Sequence, residues 1–104
     1  MLLPAVMGMG GQGVISVVSN IYPRRMVRMM RAYRARDFVA GNQGFYELFD
    51  VMRNLFAETN PIPVKAAAHA LGMCSPALRL PLLPMAQANW ERLSGALGRA
   101  GLDT

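Results

Sequence analysis

The sequence predicts a mostly α-helical chain with one β-strand, at about residues 13–19, and about four helices. Three observations carry that expectation. Val14, Ile15, Val17 and Val18 form a β-branched run interrupted only by the small Ser16, which fits a strand covered on both faces. Downstream, apolar residues recur at helical spacing in segment after segment. Glycines and prolines punctuate the boundaries between those segments. A lone strand exposes unpaired backbone groups along both edges, so its partners are expected from outside these 104 residues.

Composition agrees with a unit that buries surface against something else. The chain is 53% hydrophobic and 16% charged, apolar-rich for one small domain. Its net charge of +5 comes from ten arginines and one lysine against six acids. The single cysteine, Cys74, excludes an intramolecular disulfide and is compatible with the expected cytoplasmic location. No charged side chain occurs before Arg24, a pattern shared with membrane spans that carry a basic flank. Glycines, Pro4, Gln12, Ser16, Ser19 and Asn20 interrupt that stretch, however, and no positive side chain precedes it. Neither a membrane span nor a secretory leader is expected.

In order along the chain, Leu2 to Met9 reads as the last turns of a helix, closed by glycine. Gly8, Gly10 and Gly13 match the spacing of a dinucleotide-binding G-x-G-x-x-G, but that motif lies between a strand and a helix in the opposite order. The glycines are therefore read as a turn into the strand. Pro23 suits a helix start, and residues 24–36 form that helix, with Met26, Met30 and Tyr33 on one face. Asp37 to Gly44 reads as a loop or a poor first turn. Next, Phe45, Leu48, Phe49, Met52, Leu55 and Phe56 fall at i, i+3, i+4, i+7, i+10 and i+11, a full apolar stripe that requires a core. Asn60-Pro61-Ile62-Pro63 breaks the pattern, and a short helix is expected from Val64 to Leu71. Pro76 to Pro84 reads as an apolar strap lying on another surface. A last helix at about residues 87–99 places Trp90, Leu93 and Leu97 on one side.

Few residues carry chemistry. Six arginines, from Arg24 to Arg36, lie on one helix. They offer an anionic-partner surface, but without interleaved aromatics or a nucleic-acid-binding fold they read as a solvated face, and no nucleic-acid partner is expected. Lys65 is the only amine available for a Schiff base, and nothing near it in sequence depresses a pKa. His69 and Cys74 are too few for a metal site, so neither metal nor cofactor is expected.

Several strings together carry a resemblance. Gly10-Gly11-Gln12-Gly13-Val14-Ile15-Ser16-Val17 with Asn20, Leu55-Phe56-Ala57-Glu58 leading into Asn60-Pro61-Ile62-Pro63-Val64-Lys65, Leu78-Arg79-Leu80-Pro81-Leu82 and Gly101-Leu102 resemble the C-terminal part of the dihydrodipicolinate synthase family. The resemblance implies an α/β fold, a (β/α)₈ or TIM barrel, represented here only by its C-terminal end. Residues 1–36 would then be the last barrel strand and its outer helix, and residues 37–104 a helical extension. It also implies a lyase chemistry in lysine biosynthesis, in which pyruvate, held as a Schiff base on a barrel lysine, condenses with aspartate semialdehyde. Ile15 matches the isoleucine that lines the family's pyruvate pocket. The Schiff-base lysine, proton-relay tyrosine, threonines and carboxylate-binding arginine of that site have no counterpart, and Lys65 matches a lysine that is not the nucleophile.

The expected role is thus a fragment that is inactive alone, binds pyruvate only when the missing barrel part is supplied, and self-associates or docks on a complementary fragment. The alternative is a small basic helical protein that binds a partner or a membrane through the Arg24–Arg36 face. Gly41 and Gly44, where the family usually has better helix formers, are expected to weaken their helix.

Overall fold

The computed structural model describes residues 2–103 and holds five helices: α1 (Leu3–Gly8), α2 (Pro23–Arg34), α3 (Phe38–Asn54), α4 (Ile62–Ala70) and α5 (Gln87–Ala100). A 3₁₀ turn at Val18–Asn20 lies between α1 and α2. The helical turns expected at Leu2 to Met9 are present as α1, a six-residue helix that brings the count to five among the described residues.

The expected strand at residues 13–19 is not there. Among the described residues none is in a strand, and residues 11–16 follow an irregular path. A strand exists through its ladder bonds to a neighbour, and among the described residues no neighbouring strand offers them. Local bonds take over where the ladder would run. The Ser19 hydroxyl donates to the Ser16 carbonyl at 2.6 Å, and the Asn20 side-chain amide donates to the Val17 carbonyl at 2.9 Å. Such short-range bonds bend the backbone into the 3₁₀ turn. The β-branched run is consequently divided: Val18 is buried, while Val14 and Ile15 face solvent.

The hub of the fold is α3, which packs against α2 on one side and α5 on the other. Leu48 and Val51 within it and Leu55 at its C-terminal cap are essentially inaccessible, and Leu93 of α5 belongs to the same core cluster. The expected stripe is mostly correct, although Phe49 is only partly buried and Phe56 is exposed. On α2, Met26, Met29 and Tyr33 are buried and Met30 is partly so.

The structure also extends α3 back to Phe38, through the stretch expected to be a loop. The Asp37 carboxylate accepts the Ala40 amide at 3.0 Å, an N-cap that starts the helix there. Gly41 is buried where α3 crosses α2. A Cβ at that position would lie 2.6 Å from the Tyr33 ring, so glycine is what allows the approach. At Gly44 a Cβ would sit 3.7 Å from Met29, an ordinary contact.

Three helices end in the same way. In α1, the Gly10 amide donates to the Met7 carbonyl and the Gly11 amide to the Val6 carbonyl. In α4, Gly72 bonds to His69 and Met73 to Ala68. In α2, Arg36 bonds to Tyr33 and Asp37 to Ala32. These are Schellman terminations, whose pivotal residue is left-handed and usually glycine. Gly10 and Gly72 follow the rule with φ of 89° and 72°, whereas Arg36 adopts φ 61° with a side chain.

The start of α4 is Ile62, two residues before the expected Val64, because Pro61 caps the helix and Pro63 fits its first turn. The start of α5 is held from afar: the Glu58 carboxylate accepts the Ala86 amide at 2.9 Å and the Asn89 side chain at 2.7 Å. Of the proline-rich strap, only Leu78 and Leu82 are half-buried, while Leu80 and Leu83 are exposed. The radius of gyration, 14.3 Å, exceeds the ~13 Å expected for a closed domain of this length. The molecule is elongated, 42 × 25 × 21 Å, and one side of it carries an open groove.

Candidate functional site

That open side is an apolar groove of about 250 Å³ walled by Leu3, Ile15, Val18, Phe45, Met52 and Phe56. Each wall follows from the local structure. Leu3 comes from the first turn of α1, Phe45 and Met52 from the stripe of α3, and Ile15 from the irregular segment before the 3₁₀ turn. Ile15 is fully solvent-exposed, and Phe56 is 60% exposed at the far rim. Ile15 and Phe56 thus give the groove an exposed apolar rim.

Ile15 also borders a second cleft, of about 430 Å³, shared with Ser16, Asn20, Asn60 and Lys65. The sequence-singled residues Ile15, Asn20 and Lys65 are therefore brought together, although they are distant along the chain. Chemically the cleft offers one hydroxyl, two side-chain amides and one amine, and neither a carboxylate nor a tyrosine lines it. Amides and hydroxyls hold and orient a polar ligand. A Schiff-base cycle also needs a proton acceptor beside its amine, and these walls supply none.

His69 and Cys74 serve helix termination. The His69 Nδ1 lies 3.0 Å from the Cys74 carbonyl, which can only accept, so Nδ1 carries the proton in this contact. Both residues are exposed.

The arginine-rich helix is tied into the fold at its start. The backbone amides of Arg24 and Arg25 donate to the two oxygens of the Asp103 carboxylate at 2.9 and 3.0 Å, which places a negative charge at the N-terminus of α2. The Tyr22 hydroxyl donates to the Gly101 carbonyl at 2.9 Å, and the Arg25 guanidinium lies 5.4 Å from the centre of the Tyr22 ring. Burial pushes the Tyr22 phenol above its ordinary value; Arg25 opposes the shift and Asp103 adds to it. Among the described residues, no helix is long and apolar enough to cross a membrane. The anchoring roles of Asp103 and Glu58 were not legible in the sequence, because each acts on an amide 28 or more residues away.

Comparison with known proteins defines the class. The model of the Dihydrodipicolinate synthetase family matches residues 1–100, and the chain belongs to that family. Among its relatives, the 4-hydroxy-tetrahydrodipicolinate synthase of Thermomicrobium roseum is 51% identical over 92 residues, covering 88% of this chain and 30% of the relative. That of Methanococcus vannielii is 46% identical over 97 residues, covering 93% of this chain and 34% of the relative. Among solved structures, the dihydrodipicolinate synthase of Aquifex aeolicus superposes with a TM-score of 0.94 at 41% identity, over 98% of this chain and 35% of that one. The chloride-inhibited enzyme of Acinetobacter baumannii, complexed with pyruvate, gives a TM-score of 0.92 at 36% identity, over 97% of this chain and 35% of that one. The chain thus spans about a third of the length of the curated relatives it matches. These relatives give no support to the alternative of an unrelated basic helical protein.

Proposed function

We propose that this chain is the C-terminal part of a 4-hydroxy-tetrahydrodipicolinate synthase-like lyase and contributes one wall of a pyruvate site whose reacting groups lie elsewhere. The family reaction condenses pyruvate with aspartate semialdehyde in lysine biosynthesis. Within that reading, residues 1–36 supply the last stave of the barrel and its outer helix, and residues 37–104 supply the helical extension. Ile15 is the side chain that borders the pyruvate. The observation that carries the proposal is the exposed Ile15 at the open groove of a chain that superposes so closely on a third of the Aquifex aeolicus enzyme.

The residues present bind and shape; they do not catalyse. Ile15 excludes water from one side of the site, while Ser16, Asn20 and Asn60 offer polar groups nearby. Lys65 shares that cleft without a base beside it. The chain alone is accordingly inactive, and in isolation it associates through the apolar groove with a second copy or with a complementary barrel fragment.

Borohydride trapping with pyruvate tests the reading. The chain is assayed alone and with the upstream two-thirds of the Thermomicrobium roseum enzyme, followed by peptide mass spectrometry. The expected adduct forms only in the mixture and only on the upstream piece. A pyruvate adduct on Lys65 of the chain alone would overturn the assignment. Sedimentation of the isolated chain gives a second check, with self-association expected and a monodisperse monomer counting against the exposed-groove account.

A further inference from the structure

A cleft of about 510 Å³ lies on a different part of the molecule, between the glycine turn after α1 and the end of α2. Its walls include Gly10, Gly11, Gln12, Arg34, Arg36 and Phe38. We propose that this cleft binds a phosphate group of a small molecule, held between the guanidinium groups of Arg34 and Arg36. The proposal does not depend on the barrel reading, since every residue in it belongs to this chain.

Three observations carry it. First, the charged side chains lining the cleft are both cations, and among the described residues no carboxylate forms an ion pair with either. Asp37, next in sequence to Arg36, spends a carboxylate oxygen on the Ala40 amide. Second, the Arg34 guanidinium is drawn to the cleft wall, where it donates to the Gln12 carbonyl at 3.2 Å. A guanidinium has five donors in a planar fork, so this anchor leaves others for a ligand oxygen.

Third, Arg36 occupies a position that its own fold assigns to glycine. Two other helices of the chain end in the same Schellman geometry, and both place glycine at the left-handed residue. An L side chain is strained there, and such strain persists where the side chain has a use. Two guanidinium forks lining one cleft suit a tetrahedral oxyanion, and so match phosphate better than a single carboxylate or a halide. The open backbone at Gly10, where a Cβ would meet nothing within 4 Å, leaves room for the ligand. The glycines contribute space here; the dinucleotide motif still fails on its order of elements.

The ¹⁵N-labelled chain is titrated with sodium phosphate at ionic strength held constant with sodium chloride. Saturable shifts are expected at the amides of Gly10 to Gly13 and at the Arg34 and Arg36 side chains, with a dissociation constant of about a millimolar. Replacing Arg36→Gly separates ligand binding from folding: it is expected to raise the thermal midpoint by relieving the left-handed strain, yet to weaken phosphate binding at least about tenfold. Arg34→Ala is expected to weaken binding similarly. Shifts that rise linearly without saturation, acetate that saturates as tightly as phosphate, or R36G binding phosphate unchanged would each overturn the proposal.

Discussion

The two sides of α3 differ in a way that tells what the chain completes by itself. On the α2 and α5 sides, Leu48, Leu55 and Leu93 are sealed, Gly41 lets two helices touch, and Asp103 ties the end of the chain to the start of α2. On the groove side, Ile15 and Phe56 stand in water and residues 11–16 have no regular structure. The composition of the two sides is alike, both being aliphatic and aromatic. On the proposed reading, what separates them is whether the partner surface belongs to this chain. The sealed side is closed by its own contacts, and the open side is the one that the proposed barrel fragment would cover.

Substitutions should respect that boundary. The largest effects belong to the sealed side: Leu48→Ala or Leu93→Ala, each removing a side chain with no exposed surface, should cost about 2–5 kcal/mol in denaturant unfolding. A loss below 1 kcal/mol at both would mean that the sealed core is loose. A paired test at the helix crossing comes next. Gly41→Ala forces a methyl to 2.6 Å from the Tyr33 ring and should destabilise by about 1–3 kcal/mol, although alanine is the better helix former. Gly44→Ala has room at 3.7 Å and should stabilise by up to about 1 kcal/mol. Equal signs at the two positions would remove the close-approach explanation.

The tie at the chain end is smaller. Asp103→Ala leaves the Arg24 and Arg25 amides uncapped and should cost about 1 kcal/mol, with faster hydrogen exchange at those two amides. The same region predicts a pH response. Tyr22 titrates above its ordinary value of 10.0 in the folded chain, mainly through burial. The unfolded chain therefore releases the proton first, so this contribution is fully present below about pH 10 and is lost as pH rises through the folded value. Tyr22→Phe should flatten that alkaline fall in stability, leaving the part that comes from Tyr33, whose phenol burial also raises. The smallest effect is on the open side, where Ile15→Ala should change the stability of the isolated chain by less than about 0.5 kcal/mol. The same substitution should weaken association with a complementary barrel fragment, and a large loss of intrinsic stability instead would place Ile15 in the core.

The sequence made the sealed side largely readable. The stripe from Phe45 to Leu55 and the Trp90, Leu93, Leu97 face follow from helical period alone, and the strings around Ile15 and Asn60 identify the family. The expected strand failed for a physical reason. Val14 to Val18 has the composition of a buried strand, but β structure is a relation between segments, and without a neighbour Ser16, Ser19 and Asn20 bond locally and turn the backbone. Gly41 misled in the opposite direction, because a helix breaker by propensity serves here as a contact point, and that requires knowing where Tyr33 lies. The long-range caps by Glu58 and Asp103 leave no periodic trace at all.

Hydrogen exchange at the amides of Val14, Ile15, Ser16 and Val17 tests the central claim most directly, measured in the isolated chain and again with the upstream two-thirds of a family relative. The account predicts little protection in dilute isolated chain and strong protection in the complex, as the segment gains its ladder partners. Strong protection in a monomeric isolated chain, or none in a stable complex, would contradict it.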